Sequence, residues 1–206
     1  MTPKRLLIAA GGTGGHMFPA RATADALMAR GWSVKLVTDA RGARHATDFP
    51  GEPVGEIEAS SPFAKNPVRM AQSVMKLTRG VFQARTIMAE FKPHVVAGFG
   101  GYPAFPVLSA AWSYSIPRII HEQNAVLGRV NRLFAGSVVS VASGFARLDK
   151  MPQGAVHAVT GNPVRAHVLQ AREVDYAPPG PEGEIRLLVL GGSLGARILS
   201  ETVPRA

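Results

Sequence analysis

The apolar run from Lys4 to Ala10 stops at Gly11-Gly12-Thr13-Gly14-Gly15-His16, and an alanine-rich stretch with helical spacing follows from Pro19 to Arg30. Gly31 ends that stretch, and a second apolar run spans Ser33 to Thr38. A strand, a glycine turn, a helix and a strand in this order form a βαβ unit, which commits the chain to a parallel sheet. The alternation continues. Asn66 to Phe91 reads as one long helix or two, stopped by Pro93. Further strands are expected at His94–Ala97, Arg118–His121, Val138–Ala142 and Ala155–Thr160, with helices at Phe105–Ser113 and Val126–Ala135. The predicted class is α/β with a doubly wound sheet.

The pattern then breaks and restarts. Ala177-Pro178-Pro179-Gly180-Pro181-Glu182-Gly183 reads as a linker or exposed loop. Ile185 to Leu190 is expected as a strand, running into Gly191-Gly192-Ser193-Leu194-Gly195 and a last helix from Ala196. One βα unit has nothing to bury its apolar faces against. The expected organisation is therefore a domain over 1–165, a linker over 166–184 and the truncated start of a second domain over 185–206.

Composition removes several classes. Hydrophobic residues make up 46% and charged ones 18%, too apolar for a disordered chain. There is no cysteine, hence no disulfide framework or thiolate metal site. The first apolar run is shorter than the roughly 7–15 residues of a secretory leader, and no stretch reaches the roughly 20 of a spanning helix. The expected protein is soluble or peripheral. The net charge is +9, which points to a phosphate-bearing partner. Residues 61–90 hold five basic side chains against Glu90 alone, whereas residues 1–60 are nearly balanced.

Chemistry is expected at the glycine turns. Gly11 to Gly15 lets a ligand approach the backbone, and the helix that follows offers unpaired N–H groups to an anion. This is not the dinucleotide fingerprint, because its third glycine falls at Met17. Asp39, at the end of the second strand, can still mimic a ribose-binding acid, so a nicotinamide-dependent oxidoreductase stays open as an alternative. His16 sits at the mouth of the sheet, where an imidazole can take a proton from a sugar hydroxyl. His121-Glu122-Gln123-Asn124 ends another strand at the ligand-binding edge, and a lone His-Glu pair is a weak metal signal. Gly98-Phe99-Gly100-Gly101-Tyr102-Pro103 reads as a simple turn. In Gly161-Asn162-Pro163-Val164-Arg165 the arginine can pair with phosphate. Glu56-Ile57-Glu58 reads as an exposed, solvated strand face. Met70, Val74, Leu77 and Val81 share one helical face with Lys76, Arg79 and Arg85 nearby. Two readings stand for it, a core-facing helix or a membrane-surface patch. A basic nucleic-acid-binding module is a further alternative that the charge alone allows.

Taken in order, the glycine-histidine turn, Gly100 to Pro103, His121 to Asn124, Gly161 to Arg165 and Gly191 to Arg197 resemble glycosyltransferase family 28, whose bacterial members move N-acetylglucosamine to lipid I. The likeness runs over essentially the whole chain. It implies two Rossmann-like domains of the GT-B type. The first would meet the lipid-linked acceptor and the membrane, and the second would hold most of UDP-N-acetylglucosamine. The implied donor contacts are Thr13, Gly14, Gly15, Asn124, Arg165 and Ser193. The implied reaction is an inverting transfer to the muramyl 4-hydroxyl, with His16 as candidate base and Glu122 as a second. No cofactor or protein-bound metal is implied. The implied partners are UDP-N-acetylglucosamine, lipid I and an anionic phospholipid surface, without nucleic acid, at the cytoplasmic face of the bacterial inner membrane. A fragment lacking most of the donor domain is expected to be inactive alone.

Overall fold

The computed structural model describes residues 2–61, 66–191 and 196–205. The chain divides into two compact units, Met1–Arg165 and Ala166–Ala206.

The first unit is built on a seven-stranded parallel sheet. Its strands are β1 (Arg5–Ala9), β2 (Ser33–Thr38), β3 (Glu52–Glu56), β4 (Val95–Gly98), β5 (Arg118–Glu122), β6 (Ser140–Ser143) and β7 (His157–Val159). The order across the sheet is β3-β2-β1-β4-β5-β6-β7. Connections run outward in one direction from β1 and in the other from β4, so the winding order of the parallel strands reverses between these two. The carboxyl ends there form the crevice where such sheets bind ligands. Leu6, Leu7 and Ile8 of β1 are at most 2% exposed. Burial of each side chain stabilises the fold by about 1.5–3 kcal/mol.

The helices are α1 (Gly14–Met28), α2 (Ala40–Ala43), α3 (Pro67–Phe91), α4 (Ala104–Ser113) and α5 (Arg129–Phe134). Helix α1 starts inside the glycine turn rather than at Pro19, because Thr13 O already accepts from His16 N (3.1 Å) and Met17 N (3.2 Å). Helix α3 is one uninterrupted helix. Asn66 caps it by accepting from Val68 N (2.9 Å) and Arg69 N (3.3 Å), Pro67 opens it, and Lys92 closes it in the left-handed conformation (φ 51°). Its inner face is Leu77, Gly80, Ala84 and Met88. A Cβ on Gly80 would lie 2.1 Å from Glu58 O, so this helix rides directly on backbone there.

One reading is refined. The segment Glu56-Ile57-Glu58 is solvated on its glutamate side, with Glu56 exposed and Glu58 partly so, but not on the other side. Its first residue ends β3, which pairs with β2, and Ile57 is 3% exposed and part of the core. Pro53 masks this strand in sequence, yet β3 is an edge strand, where a missing N–H is tolerated.

The second unit contains α6 (Ala166–Gln170), a short 3₁₀ turn over Ala171–Glu173 and α7 (Arg197–Thr202). The strand expected over 185–190 does not form: Ile185, Leu187, Leu188 and Leu190 are all more than 70% exposed. Apolar content alone does not make a strand. Its backbone groups need a neighbouring strand, and the described part of this unit has none.

Candidate active site

Two glycine turns meet at the crevice. Gly100 (φ 94°) and Gly101 (φ 79°) follow β4 in a conformation that disfavours any side chain. A Cβ on Gly101 would stand 2.6 Å from Gly11 O. Gly98 to Pro103 is thus more than a simple turn, since it packs backbone to backbone against the turn after β1.

His16 projects from the first turn of α1. Its Nδ1 lies 2.9 Å from Gly11 O. A carbonyl only accepts, so Nδ1 carries the proton and the neutral ring keeps its lone pair on Nε2. The Nε2 edge faces Gly100, where an added Cβ would come within 3.1 Å. His16 lines a cavity of about 260 Å³ together with Gly100, Gly101, Tyr102, Asn124 and Arg129.

Glu122 reaches the same cavity but is 2% exposed. Its Oε1 accepts from Asn124 N and Nδ2 (both 3.1 Å), and its Oε2 accepts from Gly128 N (2.9 Å) and Asn131 Nδ2 (3.0 Å). The carboxylate therefore folds the loop after β5 around itself and fixes Asn124. Asn131, 1% exposed, is a member of this cluster that the sequence did not flag.

His121 is a strut rather than a free ligand. Nε2 donates to Gly161 O (3.1 Å), Nδ1 accepts from Gln123 Nε2 (3.1 Å), and Phe99 stacks on the ring at 5.5 Å. Asn162 Nδ2 donates to Gln123 O (3.1 Å), which ties the Gly161 turn to β5. Both ring nitrogens are thus engaged, and among the described residues no three His, Asp or Glu side chains gather as a metal site. Burial pushes the His121 pKa down, against smaller upward pulls from Gly161 O and Glu122. The folded ring stays neutral while the unfolded chain takes up a proton near the ordinary value of about 6.5. Stability is then full above about pH 6.5 and falls as pH drops toward the folded pKa. The melting temperature of His121→Gln is expected to decline less steeply than wild type between pH 7 and 5. Parallel slopes in the two thermal titrations would remove this assignment.

Arg165 stacks on Phe18, 4.1 Å from its guanidinium carbon to the ring centroid. The same ring covers Gly14, where a Cβ would meet Phe18 Cε2 at 2.8 Å. Phe18 thereby brings Arg165 to the first glycine turn, beside Thr13, Gly14 and Gly15. Sequence offered one signal for it, an aromatic residue on an exposed turn of α1. Thr13 is the N-cap of α1 without a side-chain bond to the helix. Ser193 lies outside the described residues.

Asp39 does not present a free carboxylate. Oδ1 accepts from Gly42 N (2.9 Å), capping α2, and Oδ2 pairs with Arg41 (3.0 Å). This occupies the acid that a nicotinamide site requires at that position.

The face over Met70, Val74, Leu77 and Val81 splits. Met70 and Val74 are about half exposed, Val81 is half-buried, and Leu77 is 7% exposed in the core. Helix α3 is much longer than α4, so its amino-terminal turns overhang the helix it packs against. Phe82 on α3 and Trp112 near the end of α4 are exposed as well. Lys76 is exposed, Arg79 reaches Glu58 at 4.0 Å, and Arg85 donates to Ser113 Oγ (2.8 Å) and stacks on Tyr114 (4.5 Å). No described helix is long and apolar enough to cross a membrane.

Sheet order, crevice and paired glycine turns define a Rossmann-like α/β domain of the GT-B type. Residues 6–143 match the glycosyltransferase family 28 N-terminal domain, and the chain belongs to this family. It is 63% identical over 208 residues to the UDP-N-acetylglucosamine--N-acetylmuramyl-(pentapeptide) pyrophosphoryl-undecaprenol N-acetylglucosamine transferase of Maricaulis maris, covering 100% of this chain and 56% of that protein. The identically named protein of Allorhizobium ampelinum is 48% identical over 100% of this chain and 55% of its own length. Among solved structures, Acinetobacter baumannii MurG superposes with a TM-score of 0.71 at 31% identity, over 98% of this chain and 56% of that one. The chain spans about half the length of the curated relatives it matches.

Proposed function

We propose that the complete protein is an inverting glycosyltransferase that moves N-acetylglucosamine from UDP-N-acetylglucosamine to the muramyl 4-hydroxyl of lipid I. The observation that carries this reading is His16, whose tautomer is set by Gly11 O and whose Nε2 is left as an acceptor beside the glycine-lined cavity. The acceptor hydroxyl gives its proton to Nε2 as its oxygen attacks the anomeric carbon. The bond from that carbon to UDP breaks with its electron pair, and the configuration inverts. Thr13, Gly14, Gly15, Asn124 and Arg165 contact the donor, and Ser193 is a further donor contact that the family resemblance implies. Arg165 and backbone N–H groups offset phosphate charge. Glu122 positions Asn124 and is not the base, since its oxygens already accept four hydrogen bonds. The domain over 1–165 takes the acceptor, residues 166–184 link, and residues 185–206 begin the donor domain.

Titration of the complete protein with UDP-N-acetylglucosamine, NAD and duplex DNA tests the reading. Saturable binding of the sugar nucleotide alone is expected. NAD binding that depends on Asp39 would point to an oxidoreductase, and salt-sensitive DNA binding to a nucleic-acid module.

The exposed end of α3 docks the protein on an anionic phospholipid surface, at the cytoplasmic face of the inner membrane. Its support is the mixture of exposed Val74 and Phe82 with Lys76 and Arg79. Val74→Asp with Phe82→Asp is expected to abolish sedimentation with anionic vesicles without lowering the melting temperature. Leu77→Asp is expected to unfold the domain instead, because it buries a charge. Sedimentation that survives the double substitution contradicts this docking surface.

A further inference from the structure

Two cavities of the first unit share walls. One is the polar cavity beside His16. The other, of about 310 Å³, lies between Val74, Leu77 and Val81 of α3, Phe105 of α4 and Leu133 of α5. Tyr102 and Val130 line both. Among the side chains of the second cavity only Thr78 and Tyr102 carry a polar atom, and the Thr78 hydroxyl donates to Val74 O (3.0 Å) within its own helix. A tyrosine suits the border between the two, with an apolar ring and a polar hydroxyl. The groove is therefore an apolar neighbour of the cavity beside His16.

We infer that this groove holds the first prenyl units of the lipid-linked acceptor while its sugar lies beside His16. The inference rests on the transferase reading above. A chain tethered to the sugar fits better than a free bilayer lipid, because the groove borders the cavity across Tyr102 and Val130. A volume near 310 Å³ is at the low end for ligand sites (about 300–1,000 Å³), room for a short stretch of chain and not for a partner helix. Arg129, which lines the sugar cavity, supplies local positive charge for the diphosphate between sugar and prenyl chain.

Geranyl diphosphate, kept below its micelle concentration, is the probe, with inorganic diphosphate and anionic vesicles as controls. Methyl NMR of the chain is expected to show saturable shifts at Leu77, Val81, Val130 and Leu133 with geranyl diphosphate and none there with inorganic diphosphate. Thr78→Trp, an exposed position that closes the groove, is expected to abolish the shifts while leaving melting temperature and vesicle sedimentation unchanged. Should Thr78→Trp fold poorly, Leu133→Glu at the exposed rim serves the same purpose. In the complete protein either variant is expected to raise KM about tenfold or more for a prenylated acceptor, and not for one carrying a short alkyl group. Shifts seen only with vesicles, or centred on Val68 and Met70 and insensitive to Thr78→Trp, overturn the groove in favour of bilayer contact. Normal KM values in these variants also overturn the groove and leave the transferase reading standing. Absence of transfer to any acceptor sinks that reading, whatever the shifts show.

Discussion

Turnover of the complete protein is expected to fall about 10²–10⁴-fold when His16 is replaced by alanine, while affinity for UDP-N-acetylglucosamine is expected to change only a few-fold. The expected split follows from the geometry. Nδ1 is committed to Gly11 O at 2.9 Å, so the ring cannot rotate its protonated nitrogen into the cavity without losing that bond. Nε2 is left over Gly100, on the cavity side. Alanine removes the proton acceptor but leaves Gly14, Gly15, Phe18 and Arg165 in place. A loss of donor affinity as large as the loss of turnover would make His16 a binding residue instead. Near-normal turnover would remove it as the base.

The second large effect is at Glu122, and it is a stability effect. Glu122→Gln turns one oxygen into a donor that faces other donors on either side of the carboxylate. With the amide oxygen kept toward Gly128 and Asn131, the new NH₂ group faces Asn124 N and Nδ2. Asn124 can turn to water, but the amide nitrogen belongs to a residue only 2% exposed and faces donors rather than an acceptor. A buried donor left without its partner costs about 1–3 kcal/mol, and more where a charged acceptor is lost. For a domain of this size that lowers the melting temperature by roughly 2–12 °C. A general base replaced by its amide would show the reverse pattern, with turnover abolished and melting unchanged. Thermal melts of the two proteins decide between these roles.

Much of the sheet was legible because its strands are continuous apolar runs punctuated by glycine and proline. Strand β1 ends at Ala9, just ahead of the glycine turn, and α3 is framed by Asn66-Pro67 and Pro93. Strand β3 was not legible, since Pro53 and two glutamates disguise an edge strand. The face over Met70, Val74, Leu77 and Val81 straddles core and surface, because hydrophobic spacing overlooks small residues. Gly80 and Ala84 make the inner face by letting backbones approach, and they pull Leu77 into the core. The run over 185–190 carried a strand signal, but pairing is a property of neighbours and not of the run itself.

The site divides in the same way. His16, Asn124 and Arg165 stood out because polar residues after a parallel strand or glycine turn fall at the ligand edge. What joins them was hidden. Phe18 under Arg165, the four bonds to Glu122 and the contact of Gly101 with Gly11 are all contacts that arise only once the loops fold together. Sequence spacing names the edge of the sheet on which a residue falls, but not the partner it meets there.

The most direct measurement is transfer of labelled N-acetylglucosamine from UDP-N-acetylglucosamine to a lipid-linked muramyl-pentapeptide acceptor by the complete protein. The anomeric configuration of the product would be read by NMR. The expected result is one β-linked sugar at the muramyl 4-hydroxyl with release of UDP. Hydrolysis of the donor without transfer, or an α-linked product, would contradict the account.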